Sequence, residues 1–437
     1  MEAPFDKRTI DAICEANGLC NARELGHATI RQVVAIVSEI ERTLGIRYVR
    51  MEMGVPGLEP SRIGIEAERE ALLSGIAARY PDISGIGELK REASRFIKAF
   101  IDIDVPAACC IPTVGSMQGA FVTFLACCQA DRRRDKVLFI DPGFPVQKQQ
   151  LRVLGIGYRS FDVADYRGGK LRGKIESCLR EGDIAAIVYS NPNNPSWMCL
   201  TEEELKTIGS LATEYDVVAV EDLASLNMDF RRPLGKPFAP PFQASVARYT
   251  DNYILLLSAS KIFSYAGQRG ALVAIGERIF ERDCPDFRLR YNQSHFGRTF
   301  VHSILYTLSA GVTHSVQYAM AAMLRAASDG RLDFTSQVSE YGRRAARLKR
   351  VLCDNGFHVV YDTDVDERVG DGFFFTFGYK QMSSEQLINK LIYYGVSAIP
   401  LSGTGSDRHG LRACTSSIDE SQYELLDRRL RRFAQDY

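Results

Sequence analysis

The sequence has no surplus of either charge and almost no tryptophan. Across 437 residues, Lys and Arg total 54, Asp and Glu also total 54, and there is one tryptophan. A neutral chain lacks the surplus of basic residues with which general nucleic-acid binders neutralise phosphates. It also lacks the charge that would attract an acidic membrane surface. We therefore expect neither nucleic acid nor membrane as a partner.

Long apolar runs and metal-binding cysteine patterns are also missing. No stretch approaches the roughly 20 apolar residues that span a bilayer, and the opening MEAPFDKRTIDAIC has no apolar signal core. The eleven cysteines form no CxxC or Cys/His pattern with zinc spacing. We expect a cytoplasmic protein without a metal site, in which most cysteines are small buried residues.

Apolar runs alternate with helical stretches between about residues 110 and 275. The runs are KVLFI, AAIVYS, VVAVE, YILLLS and ALVAI, at 136–140, 185–190, 217–221, 253–258 and 271–275. Because they are apolar on both faces, we expect strands that helices cover on either side. The pattern predicts a doubly wound α/β domain with a mostly parallel sheet.

The length exceeds what one core usually organises, so more than one domain is expected. Three parts are predicted: an N-terminal helical segment, 1–55, that packs with the small domain; a large α/β domain, 56–325; and a small C-terminal α+β domain, 326–437. After about residue 310 we predict a helical region to 355, then strand-like segments before a terminal amphipathic helix.

Open α/β sheets bind ligands at the carboxyl ends of their strands, so the residues after each apolar run are candidates. Phe144, Asn194, Asp222, Ser258 and Lys261 all stand at such ends. Taken singly, each has an ordinary structural explanation. The phenylalanine could pack in the core, the asparagine could cap a turn, the aspartate could pair with a structural arginine, and the lysine could face solvent.

A further candidate is the start of a helix within PTVGSMQGAFVTFLACC, residues 112–128. Gly115, Ser116 and Gly119 would leave backbone N–H groups exposed there, and such groups suit a phosphate. A glycine before a helix can also mark only a turn. Arg269, eight residues after Lys261, offers a positive charge for the same purpose.

Together these side chains describe one ligand, pyridoxal 5′-phosphate. Its phosphate suits the helix start and Arg269, and its aldehyde suits a partly dehydrated amine such as that of Lys261. Its ring nitrogen suits Asp222, its phenolic oxygen suits Asn194, and its flat ring suits Phe144. This cofactor serves as an electron sink in amino-acid chemistry.

At this point the chain resembles the class I/II aminotransferases of the fold-type I pyridoxal-phosphate superfamily, from about Gly54 to Arg412. The most specific motif is S-x-S-K-x-F-x-x-x-G-x-R, which begins here at Ser258. The resemblance implies a large doubly wound domain beside a smaller α+β domain. It also implies that Lys261 is the Schiff-base lysine and general base, and that Asp222 keeps the ring nitrogen protonated.

The resemblance assigns further roles around the cofactor and the substrate. The residues it implies are Ser258, Arg269 and the backbone of Ser116 and Met117 for the phosphate, Phe144 stacked on the ring, Asn194 for the ring oxygen and the substrate, and Arg412 and Gly54 for the substrate α-carboxylate. It also implies that Tyr80 crosses to the neighbour's phosphate, which predicts a homodimer with active sites at the subunit interface.

Two positions depart from the family pattern. The family usually has D-x-x-Y after the third run, where this chain has Asp222 followed by Leu, Ala and Ser225. The asparagine motif usually continues P-T-G, where this chain has Pro, Ser and Trp197. Neutral drift would explain both changes, and so would a pocket adapted to an unusual substrate.

The leading hypothesis is an aminotransferase of amino-acid metabolism that exchanges an amino group between an L-amino acid and a 2-oxo acid through a Lys261 Schiff base. A second hypothesis keeps the cofactor but predicts β- or γ-elimination or replacement, carbon–carbon bond formation or oxidation in specialised metabolism. The absent tyrosine motivates it. A third is a regulatory relative that has lost its chemistry, which the intact Lys261, Asp222, Arg269 and Arg412 disfavour.

Overall fold

The computed structural model describes residues 3–437, which divide into two compact units. The large unit comprises Leu58–Pro192 and Cys199–Val338. The small unit comprises the described residues up to Gly57 together with Asn193–Met198 and Ser339–Tyr437. The domain limits drawn from the sequence remain a prediction.

The large unit is built on one seven-stranded sheet. In spatial order its strands are Cys110–Val114, Gly270–Ile275, Tyr253–Ser258, Val218–Leu223, Ile184–Ser190, Lys136–Asp141 and Gly157–Asp162. The last five are mutually parallel, whereas Gly270–Ile275 runs antiparallel to both of its neighbours. The predicted α/β class with a mostly parallel sheet is confirmed.

The strands that the sequence pattern identified are the interior ones. All residues of Tyr253–Ser258 and Gly270–Ile275 are buried, as expected for strands covered on both faces. The pattern missed Cys110–Val114 and Gly157–Asp162, which form the two edges of the sheet. An edge strand tolerates the proline of CIPTV and the polar residues of GYRSFD, so neither segment shows a continuous apolar run.

Helices surround this sheet. The α-helices of the large unit are Arg62–Leu73, Gly87–Ile101, Gly115–Ala130, Pro145–Leu154, Lys170–Leu179, Glu202–Glu214, Ala259–Ile262, Glu277–Phe280, Arg288–Tyr291, Phe296–Arg298, Tyr306–Ser309, His314–Ser328 and Phe334–Val338, with a π-helix at Thr299–Leu305. Its 3₁₀ turns are Ile76–Ala78, Ala107–Cys109, Val163–Tyr166, Val246–Arg248, Ala266–Gln268 and Pro285–Phe287. Among residues 3–437, no helix is both long enough and apolar enough to cross a membrane.

One helix, Gly115–Ala130, packs unusually closely on the sheet. A Cβ atom at Gly119 would stand 2.7 Å from Cγ2 of Val273, so only glycine allows this approach. The helix is apolar around most of its circumference because it is buried on nearly all sides. Its N-terminus is thereby fixed at the carboxyl edge of the sheet.

The small unit combines helices with short strands. Its helices are Lys7–Ala16, Ile30–Leu44, Glu340–Asp354, Ser384–Leu391 and Glu420–Asp436, and its 3₁₀ turns are Ala22–His27, Ile392–Tyr394 and Leu401–Thr404. An antiparallel sheet has the order Ile399–Pro400, Leu411–Cys414, Phe374–Tyr379 and Phe357–Val359. Two strand pairs complete it: Val49–Arg50 with Val396–Ser397, and Thr363–Asp364 with Glu367–Arg368.

The helical region predicted after residue 310 is interrupted rather than continuous. It consists of His314–Ser328, Phe334–Val338 and Glu340–Asp354. Gly330 lies in the first break with a φ of +70°, a left-handed conformation that ends a helix. The periodicity was therefore correct locally, but it did not reveal where the chain turns.

Candidate active site

Asp222 and Lys261 come together at the carboxyl edge of the large unit's sheet. Asp222 lies near the end of its strand, beside Leu256 of the neighbouring parallel strand. That neighbouring strand ends at Ser258, and Lys261 follows it in a single helical turn, Ala259–Ile262. The positive charge of Lys261 is one of the influences that lower the pKa of Asp222. The carboxyl and the amine thus belong to one site.

Asp222 is a buried carboxyl group held by neutral donors. Its Oδ2 accepts a hydrogen bond from Nε2 of Gln147 at 2.9 Å, and its Oδ1 accepts one from the backbone N–H of Ala224 at 3.1 Å. Burial raises the pKa of Asp222 to about 6, although both hydrogen bonds and the charge of Lys261 oppose that rise. Neither donor is a structural arginine, so a cationic ligand would find a carboxylate suited to pair with it.

Lys261 is half-buried on a short, well-anchored helix. The Oγ atom of Ser258 caps this helix by accepting a hydrogen bond from the backbone N–H of Ser260 at 3.2 Å. Two residues after the lysine, the ring of Phe263 packs 5.5 Å from that of Phe334 in a buried aromatic cluster. These contacts fix the direction in which the lysine side chain leaves the sheet.

Arg269 lies over the N-terminus of the helix Gly115–Ala130. The backbone N–H of Gly115 donates to the carbonyl of Arg269 at 2.7 Å, and a Cβ atom at Gly115 would collide with Nη2 of Arg269. The first N–H groups of a helix have no partner within it, so those of Ser116 and Met117 are available to an anion. An exposed guanidinium and a helix start therefore lie side by side and form a cradle, whose role in binding an anion stays a prediction.

Phe144 and Gln147 lie at the start of one helix, and Gln147 contacts Asp222. Phe144 is half-buried and immediately precedes the helix Pro145–Leu154, in which Gln147 lies three residues further on. The hydrogen bond from Gln147 to Asp222 ties this helix to the strand end. Sequence reasoning missed Gln147, because a glutamine in the first turn of a helix carries no signal of a buried partner.

The raised pKa of Asp222 makes the stability of the cofactor-free protein depend on pH. Because folding raises this pKa from near 4 to about 6, the folded form holds a proton that the unfolded form has released. Binding of this proton stabilises the folded form, and the stabilisation is fully present below pH 4 and is lost as pH rises through 6. We expect Asp222→Asn to gain up to about 3 kcal/mol of unfolding free energy relative to wild type across that window, measured by urea unfolding.

The adjacent carboxyl group, Glu221, provides the control. It is fully buried, and burial raises its pKa to about 7 although Ser245 and Val246 donate hydrogen bonds to it. Glu221→Gln should therefore show a similar gain in unfolding free energy relative to wild type, and this gain should continue to increase up to pH 7. Parallel stability curves for Asp222→Asn and wild type between pH 4 and 6.5 would contradict the prediction.

In the small unit, Arg412 is a buried cation. It is 2% exposed, its Nη2 donates to the carbonyl of Glu52 at 2.8 Å, and its Nη1 lies 3.5 Å from Oδ1 of Asn194. Burial lowers the pKa of Arg412. Within residues 3–437 its Nε has no hydrogen-bond partner and no carboxylate forms an ion pair with it. A buried guanidinium left in this state favours binding of a carboxylate.

The strand register places an aromatic ring against this guanidinium. Arg412 pairs with Thr376 across the antiparallel ladder, so Phe374 is its diagonal neighbour on the same face. The guanidinium carbon lies 4.7 Å from the centre of the Phe374 ring. Gly54 is also close, because a Cβ atom there would lie 3.4 Å from the same ring. The predicted residues Arg412, Asn194 and Gly54 are therefore grouped within the small unit.

Tyr80 lies in the large unit with 89% of its surface exposed. It lines a surface groove with Ile76, Pro81 and His314, and none of the other predicted site residues lines that groove. Its predicted role across a subunit interface stays a prediction.

Comparison with known proteins identifies the family. The family model described as "Aminotransferase class I and II" matches residues 49–430, which include every predicted site residue from Gly54 to Arg412. The chain belongs to the class I and II aminotransferases. The predicted family and the prediction of a transferase enzyme are confirmed.

Several curated aminotransferases share moderate similarity with the chain. A probable aspartate aminotransferase of Methanocaldococcus jannaschii is 23% identical over 75% of this chain and 77% of its own length. An aspartate aminotransferase of Pyrococcus horikoshii is 27% identical over 58% of this chain and 61% of its own length. Transamination in general is supported at this level.

Solved structures of aminotransferases share the fold. A double mutant of Thermus thermophilus aspartate aminotransferase superposes with a TM-score of 0.74, covering 94% of this chain and 97% of that one at 19% identity. An aminotransferase from Mycobacterium tuberculosis gives 0.75, covering 93% and 96% at 18% identity. At identities below 20%, these similarities show that the chain shares the aminotransferase fold and nothing more specific.

The two unusual positions of this aminotransferase are both buried. Trp197 is fully buried and has a φ of +65°, in the left-handed region that glycine favours and that costs another residue about 1–3 kcal/mol. Ser225 is 6% exposed, and its carbonyl accepts a hydrogen bond from the N–H of Met228 at 3.2 Å. Tryptophan thus stands where the family's glycine would adopt this backbone shape without strain.

Proposed function

We propose that this aminotransferase moves an amino group between an L-amino acid and a 2-oxo acid with pyridoxal 5′-phosphate as cofactor. The observation that carries the proposal is Asp222, a buried carboxyl group held by two neutral donors beside Lys261. When bound, the cofactor supplies an aldehyde for amines and a ring that delocalises the electrons of a substrate α-carbon.

The chain offers a chemically matched partner for each part of that cofactor. The proposed partners are the N–H groups of Ser116 and Met117, the Ser258 hydroxyl and Arg269 for the phosphate, Phe144 for the ring face, Asn194 for the ring oxygen, and Asp222 for the ring nitrogen. The fit is supported by the cradle at Gly115, which a Cβ atom would fill, and by a carboxylate that has only neutral donors.

Lys261 is proposed as both nucleophile and proton carrier. Its Nζ would hold the cofactor through the aldehyde group and, once the substrate amine has taken that place, would serve as the base for the proton of the substrate α-carbon. The same Nζ would also be the acid that gives the proton back. Asp222 would hold the ring nitrogen and favour its protonated form, because its carboxylate is the counter-charge that a buried cation needs.

Arg412 is proposed to bind the α-carboxylate shared by amino and oxo acids. Its planar guanidinium can donate two parallel hydrogen bonds to one carboxylate. Burial removes competition from water, and the Phe374 ring holds the guanidinium plane. Gly54 is proposed to line the same substrate position, and Asn194 to contact the substrate as well as the cofactor.

The proposed function is tested with purified holoenzyme and a panel of L-amino acids. In single turnovers we expect a productive amino acid to yield its 2-oxo acid and to convert the cofactor to pyridoxamine phosphate in equal amounts. Subsequent addition of an oxo acid should regenerate the starting cofactor, which predicts ping-pong kinetics. If no amino acid produces pyridoxamine phosphate, the proposal fails.

Gly115→Ala should weaken cofactor binding. A Cβ atom at this position would displace the Arg269 guanidinium, and the φ of +70° would strain the alanine. Loss of charge-assisted hydrogen bonds to a phosphate corresponds to about a 10- to 100-fold lower affinity. A titration of the cofactor-free protein with pyridoxal 5′-phosphate, followed by visible absorbance, measures this change.

Gly267→Ala is the matched control for that variant. Gly267 lies two residues before Arg269, and a Cβ atom there would meet no atom within 4 Å. We expect its cofactor affinity to equal that of wild type. Equal affinities for wild type and Gly115→Ala would show that Arg269 does not form a phosphate cradle with this helix.

We also propose a homodimer in which Tyr80 reaches the cofactor phosphate of the other subunit. The exposure of Tyr80 and of the nearby Leu73, which is 80% exposed, supports a contact surface here. Light scattering of the purified protein should give twice the chain mass of 48.8 kDa. A monomeric mass for fully active enzyme would overturn this part of the proposal.

Ser225 favours a second candidate function. A serine is too short to reach the place of the usual phenol, so the ring oxygen would have one donor fewer than in the family pattern. The same Lys261 chemistry could then serve elimination, replacement, carbon–carbon bond formation or oxidation. Product analysis separates the candidates, because these reactions change the carbon skeleton or its substituents without leaving pyridoxamine phosphate.

A further inference from the structure

Trp197, the only tryptophan of the chain, occupies a tight turn in the small unit. The turn is closed by backbone hydrogen bonds of 2.9 Å from Trp197 N–H to the Asn193 carbonyl and from Asn193 N–H to the Met198 carbonyl. Inside it, the Asn193 side chain accepts hydrogen bonds from the hydroxyl and the backbone N–H of Ser196, at 2.7 and 3.0 Å. These bonds hold the tryptophan in its unfavourable backbone conformation.

The indole packs against the strand Phe374–Tyr379, which pairs with the strand of Arg412, and against the residues that precede it. It packs against Gly372, where any Cβ atom would collide with the indole ring. It also meets Phe374 edge-on, with ring centres 6.2 Å apart and planes inclined by 64°. Because Trp197 is fully buried, nothing but protein surrounds the far side of the indole.

Phe374 carries this contact on to Arg412. Its ring contacts Trp197, and its face lies 4.7 Å from the guanidinium carbon of Arg412. On another side, Phe373 packs against Phe374 at 4.8 Å with nearly perpendicular planes. The Phe374 ring is therefore restricted in its movement, and this restricts the movement of the guanidinium that packs against it.

We infer that Trp197 is a positioning residue for Arg412: its indole holds Phe374 against the guanidinium and so fixes the orientation in which Arg412 meets a carboxylate. This inference rests on the proposed role of Arg412 in binding the substrate. A glycine at this position would remove the backbone strain but would leave Phe374 without the support of the indole. This support explains why a strained tryptophan is compatible with a working site. The indole acts on Arg412 through Phe374, which contacts both.

The first test separates substrate binding from cofactor binding and turnover. Trp197→Gly suits the local backbone, so we expect a folded holoenzyme with unchanged cofactor occupancy and kcat within about 3-fold of wild type. The KM for pyruvate or another accepted 2-oxo acid should rise about 10- to 100-fold, as misplacement of a binding group predicts. Trp197→Phe keeps an aromatic contact, so its KM should lie between those of wild type and Trp197→Gly.

The matched control is Phe357→Leu. Phe357 is a buried aromatic residue of the same unit that packs against Phe377, Tyr379 and Phe433 and not against Phe374. We expect this variant to lose stability and to keep the wild-type KM. An unchanged KM in Trp197→Gly, or a KM that rises equally in Phe357→Leu, would overturn the inference.

The second test uses Trp197 as its own reporter and needs no turnover. In wild-type holoenzyme, acetate added at constant ionic strength against chloride should change the tryptophan emission in a saturable way. Arg412→Lys should abolish the change, and Phe374→Leu should suppress it. A wild-type response that survives in Arg412→Lys, or no saturable response in wild type, would refute the coupling. If the protein failed to transaminate, the emission change with acetate would still show the coupling between Trp197 and Arg412.

Discussion

Lys261→Ala is expected to reduce turnover about 10⁴-fold, which is the upper end of the contribution of a positioned acid–base group. On the proposed mechanism, the variant loses both the amine that would hold the aldehyde and the base that would carry the α-proton. Its cradle at Gly115 and Arg269 is intact, so it should still bind pyridoxal 5′-phosphate noncovalently. Single-turnover kinetics with the best amino-acid substrate, together with visible absorbance, measure both properties.

Two comparisons show which property of Lys261 matters. Lys261→Arg keeps a positive charge beside Asp222, but a guanidinium does not lose its proton near neutral pH. We expect it to be as inactive as the alanine variant. Methylamine added to Lys261→Ala should restore part of the activity by supplying a small base. Retention of a tenth of wild-type turnover by either variant would rule out the proposed role.

Asp222→Asn is expected to reduce kcat about 100- to 1,000-fold, the range seen when one preorganised electrostatic group is removed. The side chain keeps its size, and its carbonyl oxygen can still accept the hydrogen bond from Gln147. It loses the negative charge that is proposed to hold a proton on the cofactor ring nitrogen. Rapid mixing of holoenzyme with amino acid measures the slower α-proton removal.

Glu221→Gln is the natural control for that variant. Glu221 is the preceding residue of the same strand and points to the opposite face, since successive side chains alternate. It is also buried, and removing its charge should affect stability between pH 4.5 and 7 but leave kcat close to wild type. A similar loss of kcat in both variants would mean that Asp222 acts only by supporting the strand.

The position of Gln147 explains why its hydrogen bond was out of reach of sequence reasoning. Lysine and aspartate at strand ends stand out because a buried charge is costly and therefore conspicuous. A glutamine on a helix is common and carries no such signal. Its role follows only from the distance of 2.9 Å to Asp222, a residue 75 positions away. Arg412 differs, since the family resemblance marked it, whereas its contact with Phe374 could not be seen in the sequence.

The interior strands and the residues that follow them were determined by the sequence alone, because continuous apolar runs and charged residues at their ends have few alternative explanations. The cofactor prediction followed from the chemical match among those residues. Tertiary structure decided the rest. Edge strands, the hydrogen bond to Asp222 and the contact of Trp197 with Phe374 join segments far apart in the chain. Such contacts depend on how the segments pack, and no local pattern encodes that.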